Sequence, residues 1–261
     1  LLTYVWLTDS DPLPKTRGDL AAIGLGGGLN VAANNSLLFT GQQYTTSGVA
    51  SITYSLVPIV TAAAAAVWLG ESGLDARGAI GVVLAFVGVG LVARPSPSTL
   101  TSGVTLGVGL IFLGVLAVSV SSVGLRVVET RLSSVTLTGW SMLFGGMVIH
   151  TASASVGETQ QLPSMAPMAL LALGFLGVLS SAVAYSIYFT LLDQLGPFEI
   201  NLVSYVVPVV ATVAGVVLLA ETVTALTIVG FVVILAGFGL LKRRAITDEL
   251  PGIVALVADR R

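Results

Sequence analysis

Eight stretches of this sequence run for fifteen residues or more without an Asp, Glu, Lys or Arg, and no other feature limits the fold so tightly. They are Leu20 to Thr40, Val49 to Leu69, Gly78 to Ala93, Val104 to Leu125, Leu137 to Thr151, Met168 to Leu192, Ile200 to Ala220 and Leu226 to Leu241. A bilayer core about 30 Å thick is crossed by about 20 apolar helical residues, and a helix satisfies its own backbone groups where no water can. The expected fold is therefore all-α, a polytopic membrane helical bundle. Only 9% of the residues are charged, against about 25% in a soluble domain. The opening Leu-Leu-Thr-Tyr-Val-Trp-Leu, stopped by Thr8-Asp9-Ser10-Asp11-Pro12, reads as the stub of a further span.

The same composition removes several function classes. Without cysteine there is no disulfide framework, thiolate metal site or cysteine nucleophile. A net charge of −2 with no basic cluster gives nucleic acid nothing to bind. One histidine and no acid inside a span leave no convergent set for catalysis, so neither an enzyme, a metal site nor a cofactor is expected.

Short connections carry the charges and helix breakers, as in Glu71-Ser72-Gly73, Arg94-Pro95-Ser96-Pro97 and Gly196-Pro197. Assigned to alternate sides, ten of the eleven cations fall on one side: Lys15, Arg17, Arg77, Arg126, Arg131, Lys242, Arg243, Arg244, Arg260 and Arg261, against Arg94 alone. Under the positive-inside rule that side is cytoplasmic, which puts the C-terminus inside and the Arg94 loop outside.

The chain also matches itself. At an offset of 150, Phe39-Thr40 meets Phe189-Thr190, Val57-Pro58 meets Val207-Pro208, and Leu69 and Glu71 meet Leu219 and Glu221; one residue of slip then aligns Gly81, Gly88 and Gly90 with Gly230, Gly237 and Gly239. The expected domains are a first repeat over 1–94, a second over 104–242 and a cytoplasmic tail over 243–261. The second holds five spans and the first three plus the stub, so the reading is a protein of ten spans with about eight complete here and roughly 45 to 50 residues absent. Five being odd, the repeats enter the membrane from opposite faces, the inverted arrangement of secondary transporters.

Ser-Leu-Val-Pro-Ile-Val followed by Trp-Leu-Gly-Glu at 55 to 71, and Tyr-Val-Val-Pro-Val-Val followed by Leu-Leu-Ala-Glu at 205 to 221, each precede a Gly-rich closing span. With Ser181-Ala182-Val183-Ala184-Tyr185 leading to Leu195-Gly196-Pro197, the pattern from Leu20 to Lys242 resembles the EamA-type branch of the drug/metabolite transporter superfamily. The resemblance implies ten spans in two five-span repeats and movement of a small metabolite, often export, with amino acids, nucleotide precursors, sugars and drugs all within the range. A channel or a structural membrane protein is the alternative. Channels, however, line their pores with charged rings or carbonyl filters, which these spans lack.

Polar residues in the spans mark the candidate substrate site. Asn30 and Asn34 stand one helical turn apart and so share a face, as do Ser181 and Tyr185; the repeat aligns Ser55 with Tyr205 and Ser51 with Asn201, and Tyr54 precedes Pro58 by a turn. Each side chain either lines a solute cavity or hydrogen-bonds a neighbouring helix. Pro58 and Pro208, which kink their helices, are either gate hinges or fixed packing kinks. Glu71 and Glu221 are read as helix caps at the turn into each fifth span. Trp140 and the sole histidine, His150, are read as interfacial. No visible carboxylate sits where a proton-coupled switch would.

Overall fold

The computed structural model of the chain describes residues 13–70, 75–93, 103–158, 167–176 and 197–258, with backbone alone at 197–205, 242 and 244–258. The described residues form helices and connections, with no strand among them. In chain order these are α1 (Arg17–Ile23), a π-helical stretch (Gly24–Ala33), α2 (Asn34–Gln42), α3 (Ser47–Tyr54), α4 (Val57–Leu69), α5 (Ala76–Ala93), α6 (Gly103–Val127), α7 (Ser134–Ser155), α8 (Pro167–Gly174), α9 (Pro197–Leu219) and α10 (Ala225–Ala258).

Among the described residues, three helical runs are long and apolar enough to cross a bilayer: Ser47–Leu69, which α3 and α4 form together, Ala76–Ala93 and Gly103–Val127. The other expected spans differ for identifiable reasons. Leu20 to Thr40 lies in one rod from Arg17 to Gln42, but its glycine-rich middle, Gly24 to Gly28, takes the wider π-helical turn. Leu137 to Thr151 lies inside the 22-residue α7, whose Ser, Thr and His side chains lower its apolarity. Val206–Leu219 and Ala225–Leu241 qualify as shorter apolar helices. Most of Met168 to Leu192 lies outside the described residues. The region expected as a tail continues helix α10 as far as Ala258.

Polarity is arranged inside out. Leu218 is 77% exposed and Val67 74%, whereas Thr53, Ser119, Ser121, Thr136 and Ser141 are buried. Water would penalise that surface; lipid does not. The apolar core gathers Val49, Ile52, Leu56, Ile59, Val89, Val92, Val115 and Ile234 from α3, α4, α5, α6 and α10.

Helix ends meet as alternate threading requires. At one end, Asp19 at the start of α1 receives hydrogen bonds from Thr130 and Arg131 between α6 and α7, and Asp75 pairs with Arg243. At the other, Glu221 after α9 accepts from Ser47 at the start of α3, and Tyr44 lies against Gly107 of α6.

Helices α5 and α10 run antiparallel along a seam of glycines. A methyl group at Gly88 would stand 2.6 Å from the Gly230 carbonyl oxygen, and one at Gly230 the same 2.6 Å from that of Gly88. Gly81 and Gly237 abut each other's carbonyls in the same way, Gly88 touches Ile234, and Gly237 touches Ala85. Backbones approach this closely only where no Cβ intervenes, which favours dense packing without any hydrophobic drive from lipid.

Candidate functional site

The polar groups that the bundle brings inside come from α1, α2, α3, α6, α7 and α10. Asn34, at 4% exposure, packs its side chain against Gly114 of α6, and its Oδ1 has no hydrogen-bond partner. Asn30 is exposed, so the two asparagines do not share a face as expected. The π-helical turn is the reason. Its i→i+5 bonding places more than four residues in each turn, so Asn30 and Asn34 no longer stack.

Tyr54 packs partly buried against the apolar core. Ser55, 3% exposed, donates its hydroxyl to the Ile52 carbonyl at 2.7 Å, which commits it to its own helix. Ser51 does likewise with Gly48 at 3.0 Å. Ser181 and Tyr185 lie outside the described residues, as do the side chains of Asn201 and Tyr205. His150 is exposed near the end of α7 and Trp140 is partly buried.

Each proline stands eleven residues beyond the start of its helical run, Ser47 for Pro58 and Pro197 for Pro208, yet their effects differ. Before Pro58 the helix breaks at Ser55 and Leu56, and α4 restarts with Pro58 in its first turn, where a missing N–H costs least. Pro208 is fully buried within the uninterrupted α9. The expectation of a kink at both positions therefore takes the form of a break in one half only.

At the Tyr44 end a cavity of about 560 Å³ opens between α3, α5, α6 and α10. Val49, Val92 and Val104 form its apolar wall, while Thr45, Thr46, Thr224 and Thr227 add hydroxyls. Several of those hydroxyls work structurally. Thr46 caps α3 by accepting from Val49 N–H at 3.3 Å, and Thr224 accepts from Thr227 N–H at 3.3 Å to start α10. Asp75 plays the same part at α5, accepting from Gly78 N–H at 2.9 Å.

These caps correct the reading of Glu221. Helix α10 is capped by Thr224, and the Glu221 carboxylate reaches across to the start of α3. Ala220 takes a left-handed conformation, φ 54°, which ends α9 and turns Glu221 toward α3. There Oε1 accepts from Ser47 N–H at 3.0 Å and Oε2 from the Ser47 hydroxyl at 2.8 Å. A carboxylate at a helix start meets both unpaired amides and the positive end of the dipole. Gly70, φ 64°, stands at the equivalent position after α4, while Glu71 lies outside the described residues.

The opposite end has its own buried acid. Asp19, 1% exposed, accepts from Thr130 Oγ1 at 2.8 Å and from the N–H groups of Arg131, Thr16 and Lys15 at 2.9, 2.9 and 3.0 Å. The Arg131 amide, helped by those of Thr16 and Lys15 and by the Thr130 hydroxyl, outweighs burial and holds the carboxyl far below the ordinary aspartate range. Its sequence signal was Thr16-x-x-Asp19, a capping box ahead of an apolar run. The reach across to Arg131 had no sequence signal.

The chain is 25% identical over 237 residues to an uncharacterized transporter of Archaeoglobus fulgidus, covering 89% of this chain and 78% of that one. It is 29% identical over 246 residues to the inner membrane transporter YedA of Escherichia coli, covering 92% and 78%. A chloroplastic WAT1-related protein of Arabidopsis thaliana is 26% identical over 241 residues, covering 88% of this chain and 57% of its own length. The model of the EamA-like transporter family matches twice, over residues 1–94 and 105–243. With apolar membrane-length helices and that double match, the chain belongs to the EamA-like transporter family of multi-pass membrane transporters.

Proposed function

We propose that the protein is a secondary transporter, an exporter or exchanger, that moves a small metabolite across the cytoplasmic membrane by alternating access between two inverted five-span repeats. The observation that carries this reading is the reciprocity of the α5–α10 seam. The repeat makes Gly81, Ala85 and Gly88 equivalent to Gly230, Ile234 and Gly237, and the contacts obey that equivalence: Gly88 meets Ile234 while Gly237 meets Ala85. Such pairing is what a two-fold axis in the membrane plane produces, and inverted repeats of this kind exchange their conformations about a midplane site.

Asn34 is the described residue best suited to a solute contact, since a buried amide oxygen without a partner is costly to keep in a bundle. Tyr185, Tyr205, Asn30, Tyr54, Ser181 and Asn201 remain proposed members of the site, and Pro58 and Pro208 its proposed hinges. Ser55 is the weakest member, its hydroxyl being committed to Ile52. The Lys15 end is proposed as cytoplasmic and the Tyr44 end as outward, from the cation bias. Labelling of Glu158→Cys from the cytoplasmic side alone would reverse that assignment.

Counterflow in proteoliposomes of the full-length protein, run with a panel of metabolites, tests the function. Saturable uptake stimulated by the same solute on the far side is the expected result; flux that neither saturates nor shows stimulation would establish a channel instead. The proposed absence of a carboxylate switch fails if a pH gradient drives uptake and His150→Gln abolishes it.

A further inference from the structure

We infer that Ser47 and Glu221 form a clasp that closes the Tyr44 end of the transporter, and that it biases the protein toward the state closed at that end. The inference rests on the alternating-access reading, because a clasp between the two halves matters only if they part there.

Helix α3 belongs to the first half and α9 to the second, and they meet where α3 starts and α9 ends. Both carboxylate oxygens of Glu221 are engaged by Ser47, one by the amide and one by the hydroxyl, at 3.0 and 2.8 Å. The Ser47 hydroxyl also lies 3.4 Å from the Ala211 carbonyl. The acid is held in place from behind. Its own N–H donates to the Gly215 carbonyl at 3.0 Å, and the bare Cα of Gly215 leaves the space that Oε2 occupies. At the very next residue of α3, Gly48 packs on Thr212, with a methyl at Gly48 only 2.9 Å from the threonine Oγ1. Opening this end must break the charge-assisted pair and separate Gly48 from Thr212 together.

The two ends of the molecule are unequal in this respect. The repeat places Pro197 where Ser47 stands, at the first residue of α9. Proline offers neither the amide hydrogen nor the hydroxyl that Ser47 supplies, so the same clasp cannot form on residue 197. The Lys15 end has joints of its own, Asp19 with Thr130 and Arg131 and Asp75 with Arg243, but none is the counterpart of the Ser47–Glu221 pair, so the clasp adds stability to the state closed at the Tyr44 end alone.

The test uses impermeant maleimide on Thr212→Cys in membranes containing the full-length protein, applied from the side that labels Glu158→Cys. The chain contains no cysteine of its own. Ser47→Pro copies the residue of the other half and suits a first helical position, so it removes both donors without disturbing the helix. Labelling of Thr212→Cys is expected to rise on the order of tenfold in Ser47→Pro and in Glu221→Gln, and less in Ser47→Ala, which keeps the amide. Unchanged labelling in all three would overturn the clasp. So would an equal rise at the buried Ser119→Cys, which reports loosening of the whole bundle. Faster labelling in a protein that shows no counterflow would leave the clasp standing and remove the transport reading; counterflow with unchanged labelling would do the reverse.

Discussion

Two of the contacts that join the halves, α5–α10 and α3–α9, solve the same packing problem with opposite chemistry. Along α5–α10, glycine carbonyls and backbones touch directly over two turns, and the contacts of Gly88 with Gly230 and Ile234 are mirrored by those of Gly237 with Gly81 and Ala85. At α3–α9 the join is a carboxylate on a helix end, partly exposed, and its counterpart position holds a proline. Dispersion between close backbones falls off within an ångström, so a glycine seam has no half-open state. A hydrogen-bonded clasp can trade its partners for water at modest cost. The seam is therefore suited to stay shut through a transport cycle, and the α3–α9 face to open.

The sharpest way to break that comparison is to make the seam tolerate a side chain. Gly88→Val puts atoms where the Gly230 carbonyl and Ile234 already stand, and the expected loss is about 1 to 3 kcal/mol, seen as a lower melting temperature in detergent. Gly90 and Gly239 have open space at their Cβ positions, so alanine there should be neutral or stabilising by up to about 1 kcal/mol. A seam that absorbed Gly88→Val as readily as Gly90→Ala would be no fixed joint.

Asp19 sharpens the comparison from the other end of the molecule, because it is an acid used as a permanent joint. Four donors converge on it, and Asp19→Ala would leave those of Arg131, Thr130, Thr16 and Lys15 without their acceptor. A drop of several degrees in melting temperature is the expected result, with the α6–α7 connection becoming accessible to protease. The acid dependence follows from the depressed pKa. A carboxyl held below its unfolded value stabilises the fold fully above the ordinary range near pH 4, and that contribution is lost as the pH falls further. Wild-type protein should therefore lose stability on acidification through that range, and Asp19→Asn should flatten this limb of the curve. An identical acid limb in both proteins would show that the joint carries no such linkage.

What the sequence revealed and what it hid divide along physical lines. Charge-free runs survive as helices wherever they are described, because lipid acts residue by residue, whereas the glycines of α5 and α10 marked the repeat in the sequence without showing that they pack on one another. The capping box Thr16-x-x-Asp19 went unread although its pattern is local, and the long-range partners of such caps have no local pattern to read. Glu221 looked like the cap of the helix that follows it, and only the left-handed turn at Ala220 sends it 174 residues back to Ser47. The Asn30 and Asn34 pair failed for a similar reason. Their spacing of four predicts one face on an α-helix, whereas the glycine-rich stretch before them widens the turn and parts them.

The smallest expected effect separates the two readings of Asn34. Its Oδ1 is buried, faces the Gly114 position and accepts no hydrogen bond, so in the resting bundle it is a cost. Asn34→Leu keeps similar volume and removes the unsatisfied oxygen. If the residue only packs, stability should rise by about 1 kcal/mol, and counterflow should be untouched. If the oxygen is retained to meet a solute, stability should rise equally while the half-saturating solute concentration increases on the order of tenfold, the energy of one hydrogen bond to a bound molecule. Gly114→Ala supplies the control, since its methyl would press at 3.1 Å on the same oxygen without removing it. A variant that destabilises the protein while leaving transport intact would show that Asn34 holds α2 to α6 through the rest of its side chain, and would move the search for the solute contact to Tyr185 and Tyr205.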